Sequence, residues 1–142
     1  VYFREHREIS AEAQLSWFEN VVLPFKESYM FAIIFDDELV GCTGLVYVDT
    51  INRNADLSIY IGKDRLYIDD EIAPKAANLL IEYAFKELNL HKLWTEVYSI
   101  DDKKQHFFEN ILNFDKEGVL SQHHYTRGEW VDSILYGRIN YD

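Results

Sequence analysis

The residues best placed to do chemistry form a strand, an acidic loop and a helix start. They read Leu57-Ser58-Ile59-Tyr60-Ile61-Gly62, then Ile68-Asp69-Asp70-Glu71-Ile72-Ala73-Pro74, then Lys75 to Leu88. The first turn of a helix has N–H groups with no acceptor inside the helix, and a tight loop leading into it presents them to an anion such as a phosphate. Glycines normally let the backbone approach such a ligand; here Asp69, Asp70 and Glu71 stand in the loop instead. Carboxylates are also what an ordinary helix N-terminus prefers, so the unit reads equally as a plain, well-capped helix. Other chemistry is thin. His123 and His124 are adjacent, and adjacent strand residues face opposite ways, so they cannot chelate one metal together. No Cys or His spacing supports zinc. Cys42, within Val40-Gly41-Cys42-Thr43-Gly44-Leu45, reads as core rather than nucleophile, and a lone cysteine fits a reducing cytoplasm.

These groups need a frame, and the totals allow one. A chain of 142 residues, nearly half of them apolar, is expected to fold as one domain over 1–142 with a real core. A net charge of −11 argues against nucleic acid and anionic membrane as partners and would attract a cationic substrate such as an amine. No signal peptide or spanning segment is visible. Ser10 with Glu12 opens a first helix whose apolar face is Leu15, Trp17, Phe18 and Val22, ended by Pro24. Strands are expected over Met30–Phe35, Leu39–Val48 and Ala55–Ile61, the last with Leu57, Ile59 and Ile61 on one face. Ala77, Leu80, Ile81, Ala84 and Leu88 recur at helical spacing after Pro74. A strand over Leu93–Tyr98 follows, then a helix capped by Asp101 and reaching about Leu112. Two closing strands, 118–125 and 130–139, meet at an Arg127-Gly128 turn. Antiparallel strands followed by a strand–helix–strand crossover imply a mixed, mostly antiparallel sheet, with helices on both faces.

Three stretches carry a family resemblance: Ile51-Asn52-Arg53-Asn54-Ala55-Asp56-Leu57 through Gly62, Leu79 through Lys92, and Tyr125-Thr126-Arg127-Gly128-Glu129-Trp130 through Gly137. In this order and spacing the chain resembles the GNAT superfamily of N-acetyltransferases, in the branch with ribosomal-protein alanine, spermidine and amino-sugar acetyltransferases. The opening, Arg7 through Phe18, is similar to the amino-sugar-nucleotide enzymes; the family's usual first strand would lie before Val1. The resemblance implies that acetyl-CoA enters a V-shaped gap between the strands at 55–61 and 93–98. Backbone at Ile59, Tyr60 and Ile61 would hold its pantetheine arm, and N–H groups of Ile72, Ala73, Lys75 and Ala76 its pyrophosphate. The family's loop pattern of Arg or Gln, two residues, Gly, one residue, then Gly or Ala falls on Ile68, Glu71 and Ala73, of which only Ala73 fits. Carboxylates beside a pyrophosphate add repulsion of about 1 kcal/mol per close pair at surface dielectric.

The resemblance also assigns roles. Acetyl transfer needs a neutral amine, a polarised carbonyl and a leaving thiolate. Asp56 occupies the place of a family glutamate, and Glu96 lies on the neighbouring strand; either is a candidate base. Phe108 aligns with the family's tyrosine acid, so that acid is missing and Phe108 is expected beside the coenzyme, with Tyr98 or Tyr125 as substitutes. Asp101 stands for a coenzyme-contacting asparagine. Lys103 and Lys104 meet the adenosine phosphates or form a solvated helix face. The segment Ile111-Leu112-Asn113-Phe114 is one residue longer than usual. His124 and Tyr125 are expected to line the acceptor pocket, while Trp17, Phe18, Tyr125 and Trp130 are mostly core. The expectation is direct transfer from acetyl-CoA to a primary amine, an amino sugar slightly ahead of a polyamine or a protein N-terminus, with a homodimer as the assembly. The alternative is a degenerate GNAT-fold binding module.

Overall fold

The computed structural model describes residues 28–62 and 71–141. The expected first helix, with Trp17 and Phe18, and the loop residues Ile68, Asp69 and Asp70 lie outside them. Six strands form one sheet: β1 (Tyr29–Phe35), β2 (Glu38–Asp49), β3 (Asn54–Ile61), β4 (Lys92–Tyr98), β5 (Asp115–Thr126) and β6 (Glu129–Ile139), in spatial order β1-β2-β3-β4-β6-β5. All neighbours are antiparallel except β3 and β4, which run parallel. The crossover joining them carries helix α1 (Ile72–Lys86); a second helix, α2 (Asp102–His106), follows β4.

Strand alternation assigns the faces. Leu57, Ile59 and Ile61 share one face with Leu93, Thr95 and Val97, all buried. Helix α1 packs there because Ala73, Ala77, Leu80, Ile81 and Ala84 repeat at helical spacing and are buried, small residues letting the helix lie close. Phe107, Phe108, Leu112 and Phe114, from α2's continuation, join the same core. Asp56, Ser58, Tyr60, Trp94, Glu96 and Tyr98 point to the opposite face. Both described helices therefore cover one face of the sheet.

Helix α1 starts at Ile72, so Pro74 sits inside its first turn, where a missing N–H costs nothing. Past α2 the chain widens into a π-helical turn, Phe107–Ile111, with the Leu112 N–H donating to the Phe107 carbonyl at 2.9 Å. A π turn is what one extra residue does to an α-helix. It accounts for the longer Ile111–Phe114 segment, and Asn113 leaves it in a left-handed conformation (φ 57°). Gly41 is required by close approach: a Cβ there would lie 2.1 Å from the Tyr60 carbonyl oxygen across the β2–β3 pair.

Two packing expectations are corrected. Cys42 is exposed, because it alternates with the buried Thr43 rather than pointing into the core. Tyr125 and Trp130 are 47% and 62% exposed, an edge-on pair with centroids 5.1 Å apart beside the β5–β6 turn. Aromatic type suggested core, but cross-strand pairing near a hairpin tip satisfies these rings at the surface.

Candidate active site

The parallel ladder between β3 and β4 is short. It registers Asn54 with Lys92, Ala55 with Leu93 and Asp56 with Trp94, and then stops. Beyond it β3 runs on to Ile61 and β4 to Tyr98. Each keeps its other neighbour throughout: β3 stays paired with β2, and β4 with β6. The strands therefore splay, leaving a gap whose closed end is at Asp56 and Trp94 and whose open end is at Ile61. Five residues of β3, about 16 Å at 3.3 Å per residue, border it.

Which backbone groups face the gap follows from the β2–β3 bonding. The Gly62 N–H donates to the Val40 carbonyl at 2.8 Å, and the Ser58 carbonyl accepts from Thr43 Oγ1 at 2.8 Å. Even-numbered residues of β3 thus turn their main chain toward β2, and the alternation turns Leu57, Ile59 and Ile61 toward the gap. Ile59 and Ile61 turn their main chain to the gap. Tyr60 is a correction: its main chain belongs to the Cys42 pair on β2.

At the open end, α1 begins. The Lys75 N–H bonds the carbonyl of the N-cap residue Glu71 and the Ala76 N–H that of Ile72, so Lys75 and Ala76 are corrected here as backbone donors; Pro74 has no N–H. Glu71 occupies the N-cap position but makes no side-chain capping bond. Its carboxylate lies 3.8 Å from Lys75 Nζ in an exposed pair, turned along the helix rather than over its start. Such an exposed pair is worth only about 0.3–0.5 kcal/mol. Asp101, buried, is the N-cap of α2, accepting from the Lys104 N–H at 3.1 Å through Oδ1. Lys103 is exposed on that helix.

Phe108 is also corrected. It is fully buried, edge-on to Phe107 and Phe114 (5.3 and 5.1 Å) and stacked on Tyr136 (6.4 Å). A ring so enclosed is packing, not a coenzyme contact. Tyr136 beneath it donates to Glu109 Oε1 at 2.8 Å, and burial, reinforced by that carboxylate, holds its phenol well above the usual range.

On the face opposite α1, polar side chains run from Asp56 at the closed end to Glu96 and Tyr98 further along β4. Asp56 is fully buried. Glu96 Oε2 lies 2.8 Å from His124 Nε2 and accepts from Ser133 Oγ at 2.8 Å. The His124 ring leans on Tyr98, centroids 4.5 Å apart. So Glu96, Tyr98 and His124 are brought together across three strands, whereas Tyr125 points away with Trp130. Ser133 was missed from sequence: a serine in an apolar strand carries no signal until strand register sets it opposite Tyr98. Among the described residues no group of three His, Cys, Asp or Glu side chains could hold a metal. No helix among them is long and apolar enough to cross a membrane.

A mixed sheet splayed beside one parallel pairing, with a helix start at the mouth of the opening, is the arrangement of strands and helix expected from the resemblance. The chain belongs to the acetyltransferase (GNAT) domain family, whose model matches residues 2–135. It is similar to the spermidine N(1)-acetyltransferase of Escherichia coli K12, 31% identical over 104 residues, which cover 73% of this chain and 54% of the relative. It is also similar to the N-acetyltransferase p20 of Bacillus licheniformis, 26% identical over 129 residues, covering 91% of this chain and 65% of that protein. The chain thus spans about half to two thirds of the length of these relatives. Among solved structures, spermidine/spermine N-acetyltransferase SpeG from Vibrio cholerae superposes with a TM-score of 0.77 at 22% identity, over 92% of this chain and 74% of that one. A dodecameric structure of the Vibrio cholerae spermidine N-acetyltransferase gives 0.76 at 24% identity, over 89% and 72%. These likenesses show the fold.

Proposed function

We propose that this domain, taken as a single unit over 1–142, moves an acetyl group from acetyl-CoA to a primary amine by direct transfer in a ternary complex. The observation that carries the reading is the splay of β3 from β4 after Asp56 and Trp94. It turns the main chain of Leu57, Ile59 and Ile61 toward a slot long enough for an extended arm. The Lys75 ammonium, at the start of α1 beside Ile72 and Ala73, would hold the pyrophosphate, with Lys103 near the adenosine phosphates. A main-chain N–H of β3 would polarise the thioester carbonyl. Asp56, Glu96 and Tyr98 would form the polar wall around the reacting atoms.

A polyamine is taken ahead of an amino sugar as acceptor. Two features support this: the substrate named for the relatives, and a chain carrying −11 that draws polycations. A reducing cytoplasm suits the single thiol, and a second copy is the proposed partner. The test is release of CoA from acetyl-CoA with spermidine and with glucosamine, beside calorimetric titration of acetyl-CoA alone. Binding with CoA release, faster for spermidine, is expected. No binding at near-millimolar acetyl-CoA overturns the reading; binding without release on any amine replaces it with a binding module.

A further inference from the structure

We infer that Gln105 holds the gap open for the coenzyme arm, because its side-chain amide occupies the β4 carbonyl that would otherwise accept from the Ile61 N–H. This rests on the acetyl-transfer reading and adds to it a positioning residue that lies on neither strand.

Bonding parity fixes which main-chain groups of β4 face the gap. The Ser99 N–H donates to the Asp132 carbonyl at 2.9 Å, and the Asn140 N–H donates to the His91 carbonyl at 2.8 Å. Both bonds fall on the β4–β6 register, which pairs Leu93 with Arg138 and Val97 with Ile134. Odd-numbered residues of β4 therefore turn their main chain toward β6. Trp94, Glu96 and Tyr98 turn theirs the other way, toward β3 and the gap. The Lys92 N–H shares their parity and donates at 3.1 Å to the carbonyl of Arg53, just before β3.

A parallel ladder advances two residues at a time along each strand. Starting from Lys92 bonded to Arg53, an uninterrupted ladder would bring the Ala55 N–H to the Lys92 carbonyl and the Leu57 N–H to that of Trp94. Ile59 would then reach Glu96, and Ile61 would reach Tyr98. The observed pairing stops at Asp56 and Trp94. At the open end the Tyr98 carbonyl has other donors. It accepts from the Asp101 N–H at 3.0 Å, which closes the turn from β4 into α2, and from Gln105 Nε2 at 3.3 Å.

The second of these bonds matters most. A carbonyl oxygen has two lone pairs, so the turn by itself would leave one for Ile61, and Gln105 takes it. The same nitrogen donates to the Ser99 carbonyl at 2.9 Å. Carbonyls only accept, so the amide must present its nitrogen, and each of its two protons has a partner. Gln105 is itself anchored, since its main-chain N–H donates to the Asp101 carbonyl at 3.1 Å. Splayed strands deprive each other of hydrogen-bond partners, which costs free energy wherever nothing replaces them. Helix α2 supplies the replacement at the end of β4. The Ile61 main chain on β3 is then left to a ligand instead of to its neighbouring strand.

The test reads NMR couplings across backbone hydrogen bonds in the chain without ligand, beside calorimetric titration with acetyl-CoA. No coupling between the Ile61 nitrogen and the Tyr98 carbonyl carbon is expected in the unsubstituted chain; finding one overturns the inference. In Gln105→Leu that coupling should appear. Affinity for acetyl-CoA should fall about 10-fold, the equivalent of about one hydrogen bond. Turnover of spermidine at saturating acetyl-CoA should stay within about twofold, because the reacting atoms lie at the other end of the gap. Gln105→Lys, which keeps a donor at this position, should recover most of the affinity. A Gln105→Leu chain without the new coupling, or with unchanged affinity, overturns the role of Gln105. So does faster amide exchange at Ser58, Tyr60 and Ile61 alike, the mark of general loosening. The first coupling is sought in the unsubstituted chain, so the inference can fail even where a variant does not fold. No binding of near-millimolar acetyl-CoA by the unsubstituted chain overturns the acetyl-transfer reading itself, whereas the couplings need no ligand and judge Gln105 separately.

Discussion

Asp56→Asn is expected to lower kcat by about 10²–10³-fold and to leave acetyl-CoA affinity nearly unchanged. Asp56 is the last residue of β3 to pair with β4, so in the proposed binding mode its side chain sits where the thioester end of the arm stops. It is fully buried. Its carboxyl oxygens would accept a hydrogen bond from the N–H of the attacking amine. Asparagine keeps the shape and turns one acceptor oxygen into an NH2 donor. Steady-state kinetics beside calorimetric titration separate the two effects: loss confined to kcat supports the assignment, while equal loss of turnover and binding would make Asp56 a structural group.

Phe108→Ala should destabilise the fold by about 3–5 kcal/mol, a large share of the roughly 5–15 kcal/mol that holds a domain together. Phe108 is completely enclosed by Phe107, Phe114 and Tyr136, on a π turn with little freedom to collapse into the space left. Urea unfolding followed by far-UV circular dichroism measures the loss. A change below about 1 kcal/mol would be far outside the range for a buried phenylalanine. It would return Phe108 to the gap, where alignment with a family tyrosine had placed it.

The misplacements of Phe108 and Tyr60 show where sequence reading stops. Among the described residues, element order was legible because it rests on local periodicity. Helical spacing from Ala77 to Ala84 and alternation from Leu93 to Val97 both survive intact in the fold. The gap was legible only through the resemblance, since nothing in either strand's composition says that pairing ends after Asp56. Facing was partly legible: alternation separated Leu57, Ile59 and Ile61 from Tyr60, but the side on which each N–H bonds needs the β2 register. Exposure of Cys42, Tyr125 and Trp130 was misread because apolar type says nothing of whether a sheet face or hairpin tip is covered. The Glu96–His124–Ser133 cluster was least legible. His124 and Ser133 lie 28 and 37 residues from Glu96, and a bulge at Gln122, invisible in composition, sets them in contact.

The central claim, that acetyl-CoA lies between the splayed strands, is tested most directly by amide NMR of the chain titrated with acetyl-CoA. Saturable shifts are expected at the N–H groups of Ile59 and Ile61 and in the first turn of α1, with the alternate residues Ser58 and Tyr60, bonded toward β2, moving less. Absence of binding at near-millimolar acetyl-CoA, or shifts centred on another part of the sheet, would contradict it.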